Sequence, residues 1–157
     1  METIIHSPLG NIKLIEDDNQ LNEVRFTEQA ITPMPENALL QETEKQLNNY
    51  FKAELKGFKL SINPVGTEFQ QRVWRELQLI PYGTTISYQE LANRLGDPKT
   101  IRAAASANGQ NPLAILIPCH RVIGSNGDMT GYAGGIQRKQ ELLKLEGAEV
   151  MNQMNLF

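Results

Sequence analysis

The sequence predicts an α+β fold in two parts, a small antiparallel sheet with one covering helix followed by a mostly helical region. Three observations carry this. Short strand-like segments separated by turn residues fill the stretch up to Phe26, apolar residues recur at helical spacing from Leu40 onward, and the charge divides near the middle of the chain. From Met1 to Gly66 there are 6 basic and 10 acidic residues, a net of −4, whereas the remainder carries 9 and 8, a net of +1. The turn-forming Asn63, Pro64 and Gly66 mark the break, so we expect one domain with its linker over residues 1–66 and a second over 67–157. A length of 157 residues with 40% apolar composition suits such a pair.

In chain order, Thr3 to His6, Asn11 to Glu16 and Leu21 to Phe26 are strand-like, with turns at Pro8-Leu9-Gly10 and Asp17-Asp18-Asn19. Leu40, Leu47, Tyr50 and Phe51 make the apolar face of a helix covering that meander. Beyond the break, Phe69, Val73, Trp74 and Leu77 form a second stripe, ending at Pro81-Tyr82-Gly83. Ser87 with Glu90 three residues on reads as a capping box, and Ile86 with Leu91 as its hydrophobic staple, so a helix starts there and stops at Gly96. Asp97-Pro98 supplies a cap and a first-turn proline for another helix, running to Asn108-Gly109. Two helices across so short a turn read as helix-turn-helix. A turn-rich loop, Ser125 to Gly135, precedes a last helix from Gln137 to Glu146, stopped by Gly147. His6, Trp74 and the methionines read as structural.

Several classes are set aside by composition. The formal charge of −3 excludes a uniform basic coat, so nucleic-acid binding needs a local patch. No apolar run approaches the ~20 residues that span a bilayer, and Met1 to Gly10 lacks the pattern of a signal peptide, so the expectation is a cytoplasmic protein. Cys119 is the single cysteine, which rules out an internal disulfide and, with only His6 and His120 beside it, makes a Cys/His zinc cage hard to assemble.

Between Asp97 and Asp128 there is no acidic residue, while Lys99, Arg102 and Arg121 fall inside the interval. The helix there is nearly all small side chains, Thr100, Ala103, Ala104, Ala105, Ser106 and Ala107, with Arg102 on its early turns. Alanine is simply a good helix former; the alternative is a helix whose amino-terminal amides, with Lys99, meet phosphate. Downstream, the apolar run Ile115-Leu116-Ile117-Pro118 delivers Cys119 and His120 into a glycine-punctuated segment. A buried inert thiol is one reading. A nucleophile is the other, and it needs a base and an orienting group. His120 is the base at hand, but neighbours in an extended segment face opposite ways, so a turn or a bridging water is required. Glu141 and Glu146 are both candidate orienters. On these residues alone, a thiol hydrolase and a DNA-recognition module without chemistry both remain open.

The segments PCHRV (Pro118 to Val122), ISYQELA (Ile86 to Ala92), Arg102, Asn111-Pro112 and GYAGG (Gly131 to Gly135) together resemble the O6-alkylguanine-DNA alkyltransferase family, its bacterial methylated-DNA–protein-cysteine methyltransferases above all. The resemblance covers Phe69 to Gly147, with the first half agreeing in outline. It implies a ribonuclease-H-like amino-terminal domain and a helical domain with a winged helix-turn-helix. The implied activity is DNA repair by irreversible, single-turnover transfer of an alkyl group, methyl foremost, from O6 of a flipped guanine to Cys119. Whether O4 of thymine also serves stays open. By the same resemblance His120 reaches Cys119 through water, Glu146 holds His120, and Tyr88 sits near the flipped base and assists the departing guanine. Arg102 is the finger entering the duplex, with Lys99, Thr100 and Ala103 of its helix against DNA. Asn111 braces the turn, the Cys119 and Val122 carbonyls accept from the guanine amino group, and Tyr132, Ala133 and Gly134 form the pocket wall. The implied partner is double-stranded DNA containing O6-alkylguanine, met by a monomer with no obligatory protein partner, no cofactor and no metal.

Two departures stand out. Ala133 occupies a position where some members carry serine, so only a backbone N–H is available to O6 there. The metal ligands of some larger relatives are missing.

Overall fold

The computed structural model describes residues 1–129 and 131–148, and divides into two compact units. One comprises Met1–Val65 with Pro112–Leu116; the other comprises Gly66–Asn111 and the chain from Ile117 onward. The expected loop at 125–135 and domain at 67–157 thus include residues outside the described ones, namely 130 and 149–157.

In the first unit, strands β1 (Glu2–Ile5), β2 (Asn11–Asp17) and β3 (Gln20–Thr27) form an antiparallel sheet in sequence order. The β2–β3 hairpin closes on Asp18 and Asn19, both at positive φ, the geometry of a two-residue turn that matches strand twist. Ile15 pairs with Glu23 and Glu16 with Leu21, so three residues of β3 face two of β2. This bulge lets Leu21 and Val24 both enter the core although their spacing breaks the period of two. Helix α1 (Ala38–Phe51) starts at Asn37, whose side chain accepts from the Leu40 N–H at 2.9 Å, and buries Leu40, Leu47 and Tyr50. The segment from Pro112 runs beside β3, the Val24 N–H donating to the Pro112 carbonyl at 2.9 Å and the Ala114 N–H to the Val24 carbonyl at 2.9 Å.

In the second unit, α2 (Glu68–Leu77) opens with a reciprocal capping box between Thr67 and Gln70. The box expected at Ser87 and Glu90 is only half formed. Ser87 accepts from the Glu90 N–H at 3.0 Å, but the Glu90 carboxylate is drawn to Arg94 one turn on, at 2.9 Å. Helix α3 (Tyr88–Arg94) is followed by a 3-10 turn at Pro98–Thr100, capped by Asp97, and then by α4 (Ile101–Gly109). Trp74 ties α2 to α4, its Nε1–H donating to the Ala107 carbonyl at 2.9 Å. A 3-10 turn at Cys119–Arg121 leads into β5 (Val122–Ile123), which pairs in parallel with β4 (Ile86–Ser87). Helix α5 (Ile136–Leu145) closes the unit, with Leu143 joining Ile123, Met129 and Ala148 in its core.

Candidate active site

Two tight turns carry the chain to Cys119. Ile115 sits at φ 72 with the Leu116 N–H bonded back to the Ala114 carbonyl at 2.8 Å, a γ-turn in a backbone region that β-branched residues rarely occupy. At Pro118 (φ −81, ψ 62) an inverse γ-turn follows, with the Cys119 N–H donating to the Ile117 carbonyl at 2.8 Å. Cys119, His120 and Arg121 then form one 3-10 turn and not an extended strand. The alternation that would set Cys119 and His120 on opposite faces therefore does not apply.

His120 has no exposed surface, and its Nε2 lies 2.8 Å from Glu146 Oε2. Of the two candidate orienters the geometry selects Glu146 at the end of α5; Glu141 is exposed. Arg121 grips the same carboxylate at both oxygens, Nε to Oε1 at 2.9 Å and Nη2 to Oε2 at 3.0 Å, and donates through Nη1 to the Ile80 carbonyl at 2.7 Å. The Gly83 N–H adds a bond to Oε1 at 3.3 Å. A carboxylate so held is ionised and accepts only, so His120 Nε2 carries a hydrogen, and in the neutral imidazole Nδ1 holds the lone pair. That Nδ1 is buried without a hydrogen-bond partner among the described residues. Burial lowers the proton affinity of the imidazole; Glu146 opposes this, while Arg121 and Lys139 reinforce it.

Cys119 is 5% exposed, and burial pushes its thiol up. A hydrogen bond from the Asn111 side chain and the Lys139 charge pull the other way without reversing it. Asn111 also donates Nδ2–H to the Ile117 carbonyl at 2.7 Å, bracing the turn beneath the thiol. Tyr88 opens α3, half-buried, with its phenol pushed up to about 12 by burial and by its proximity to Cys119 and Asp128. The buried Tyr132 hydroxyl has no partner among the described residues, and its ionisation is likewise opposed by burial and by Cys119. Val122 is buried in β5, whereas Ala133 is exposed and Gly134 partly so, its carbonyl accepting from Arg138 at 3.2 Å. The Cys119 carbonyl already receives Asn108 Nδ2–H at 3.3 Å and the Val122 N–H, which occupies both of its acceptor directions.

Lys99, Arg102 and Ala103 are exposed and Thr100 partly so, Lys99, Arg102 and Ala103 recurring at helical spacing on one face. Among the described residues, no hydrogen bond or ion pair joins these four to the cluster around Cys119. Arg121, counted with Lys99 and Arg102 in the expected basic patch, is instead interior and neutralised by Glu146.

Three residues at the site escaped the motif reading, namely Arg121 in its clamping role, Asn108 and Lys139. Lys139 is fully buried, its Nζ 5.7 Å from the centre of the Tyr88 ring, and burial lowers its ammonium to about 8 against the pull of Cys119 and Asp128. A signal existed, since Lys139, Leu142, Leu143 and Glu146 share one helical stripe, two charges at positions where packing asks for apolar residues. Asn108 breaks the buried face of α4 in the same way beside Ala104 and Ala107. In the second unit the buried polar side-chain atoms without a partner among the described residues are Asn108 Oδ1, His120 Nδ1 and Tyr132 Oη, all on residues adjoining or coupled to Cys119. Orphaned atoms gathered around a thiol mark a place where a polar ligand completes the bonding.

Among proteins of known family, residues 68–148 match the model described as the 6-O-methylguanine DNA methyltransferase DNA-binding domain. Residues 1–64 match the ribonuclease-like domain of the same description. A methylated-DNA–protein-cysteine methyltransferase of Mycobacterium leprae is 44% identical over 96% of this chain and 94% of its own length. One from Methanosarcina acetivorans is 46% identical over 92% and 97%. Among solved structures, Mycobacterium tuberculosis OGT in complex with DNA superposes with a TM-score of 0.86 at 43% identity, covering 98% of both chains.

Proposed function

This chain belongs to the 6-O-methylguanine DNA methyltransferase family and works in DNA repair by alkyl transfer; from that premise we propose that it moves a methyl or other alkyl group from O6 of guanine in double-stranded DNA to Sγ of Cys119, once per molecule. The observation that carries the reading is His120, anchored through Nε2 to an ionised Glu146 with Nδ1 unpartnered among the described residues, next to the only thiol of the chain. The Cys119 proton passes to Nδ1, through a bridging water, as sulfur attacks the alkyl carbon. A C–S bond forms, the C–O6 bond breaks, and its electron pair goes to the purine. An ordinary thiol of pKa about 8.5 is a few per cent ionised at neutral pH, so complete ionisation gains roughly thirtyfold, about 2 kcal/mol. Burial of Cys119 raises what proton removal is worth, but in-line placement and support for the departing base supply the rest.

Tyr88 gives that support. Its hydroxyl, held protonated by its surroundings, donates a hydrogen bond to the departing guanine and keeps its proton. Val122 offers its carbonyl to the guanine amino group, a role the doubly engaged Cys119 carbonyl fills poorly. Tyr132, Ala133 and Gly134 flank the base. Because a stacked base is out of reach, the nucleotide is rotated out at a cost of a few kcal/mol, Arg102 fills the gap, and Lys99, Thr100 and Ala103 lie against the duplex. The thioether product offers water no electrophilic carbonyl, so the thiol is not regenerated and no cofactor enters.

Intact-mass measurement after mixing with a duplex containing O6-methylguanine tests this. One methyl group is expected on the protein and none beyond it in excess substrate, while Cys119→Ala gains nothing yet still binds DNA. Unmodified wild-type protein, or repeated release of product per molecule, would remove the assignment.

A further inference from the structure

Arg121 has no part in the reaction written above, yet it donates three hydrogen bonds beside His120, two of them to the Glu146 carboxylate that also holds the imidazole. We propose that Arg121 is a positioning residue that neutralises Glu146, so that His120 stays an uncharged Nε2–H tautomer and keeps Nδ1 open to receive the Cys119 proton. The inference rests on the transfer reaction only for its consequence; the state of His120 follows from the hydrogen-bond geometry and the charges buried around it.

Glu146 has no exposed side-chain surface and takes three side-chain bonds, two from Arg121 and one from His120, besides the Gly83 N–H. The guanidinium is fixed from three sides, by the two carboxylate oxygens and the Ile80 carbonyl, with the Tyr82 ring 5.7 Å beneath its central carbon. Arg121 and Glu146 therefore already sum to zero. A further proton on His120 creates an uncompensated cation in the interior, which the Lys139 ammonium on α5 makes worse. Take Arg121 away, and the proton on His120 becomes the charge that neutralises Glu146. The remaining ionisable groups near the pair, Cys119, Tyr82, Tyr88 and Tyr132, are neutral when protonated and supply no substitute cation.

Nitrogen NMR of the two imidazoles reads the tautomer directly, and exposed His6 serves as the internal reference. At pH 7 wild-type His120 is expected to show a protonated Nε2 and an unprotonated Nδ1. Arg121→Met should protonate both nitrogens at that pH. It should also move the acidic limb of the single-turnover rate profile upward by about one pH unit or more, slowing transfer at least about tenfold at pH 7 and less at pH 9. Arg121→Lys, which keeps the charge and loses the fork, should return the wild-type tautomer. An imidazolium in the wild type overturns the inference without any variant being needed. So does an unchanged His120 in folded Arg121→Met, or Arg121→Lys titrating like Arg121→Met. Absence of methyl transfer in the wild type would sink the parent reaction and leave the tautomer result standing.

Discussion

At the scale of single residues, the interior of the second unit trades stability for chemistry most plainly at Lys139. Its ammonium titrates near 8 in the folded chain and near 10.5 when exposed, so the folded state binds fewer protons across that window. Stability therefore rises as pH climbs from about 8 to 10.5, and at neutral pH the buried charge opposes folding. In exchange, a positive charge stands by Cys119 and lowers the cost of its thiolate. Lys139→Met should raise stability at pH 7 by about 1 to 3 kcal/mol, abolish the rise between pH 8 and 10.5, and slow methyl transfer about tenfold. Denaturant melts across that pH range together with single-turnover rates check all three. A variant no more stable and no slower than wild type would show that the ammonium neither strains the fold nor serves the thiol.

At the scale of elements, the loop before α5 and the start of α3 are fitted to each other at Gly131. It sits at φ 89, and a Cβ there would lie 2.8 Å from the Tyr88 hydroxyl. Gly131→Ala should slow transfer about tenfold or more by displacing that hydroxyl, beyond about 1 kcal/mol of backbone strain in stability. In a Tyr88→Phe background the same change should cost little further rate, because the displaced group is already gone. Additive losses in the double variant would locate the effect elsewhere. Elements of this kind were legible in the sequence where local rules decide. The meander, its turns and the proline-led start after Asp97 were readable from spacing and residue type, whereas the thiol motif was carried by the family resemblance. What was not legible depended on competition or on distant partners. The Ser87 capping box lost Glu90 to Arg94, the β-bulge answered a three-residue spacing in β3, and Ile115 takes positive φ that its residue type disfavours. Arg121 looked like a surface cation because nothing local announces that Glu146, 25 residues on, closes over it.

At the scale of the whole molecule, an acidic chain has to engage a polyanion, and the basic interval between Asp97 and Asp128 offers less than it first suggests. Of its three cations Arg121 is internally neutralised, so Lys99 and Arg102 are the ones on the exposed face of the 3-10 turn and α4. The first unit, with 10 acidic against 6 basic residues over Met1 to Gly66, adds no general attraction. On the function proposed above, binding rests on close approach of a helix rich in small side chains and on backbone amides, with two or three charged phosphate contacts at most. Each neutralised phosphate contributes about −0.9 to the slope of log affinity against log salt, so the expected slope on duplex DNA lies at about −2 to −3. Titrating Cys119→Ala protein with methylated and unmodified duplexes between low and physiological salt measures it free of chemistry. Lys99→Ala should flatten the slope by about one on both duplexes alike, since a phosphate contact carries no information about the lesion. A slope steeper than about −5 would require a basic surface that this chain does not display around α4, and would move the DNA-binding face to another part of the molecule.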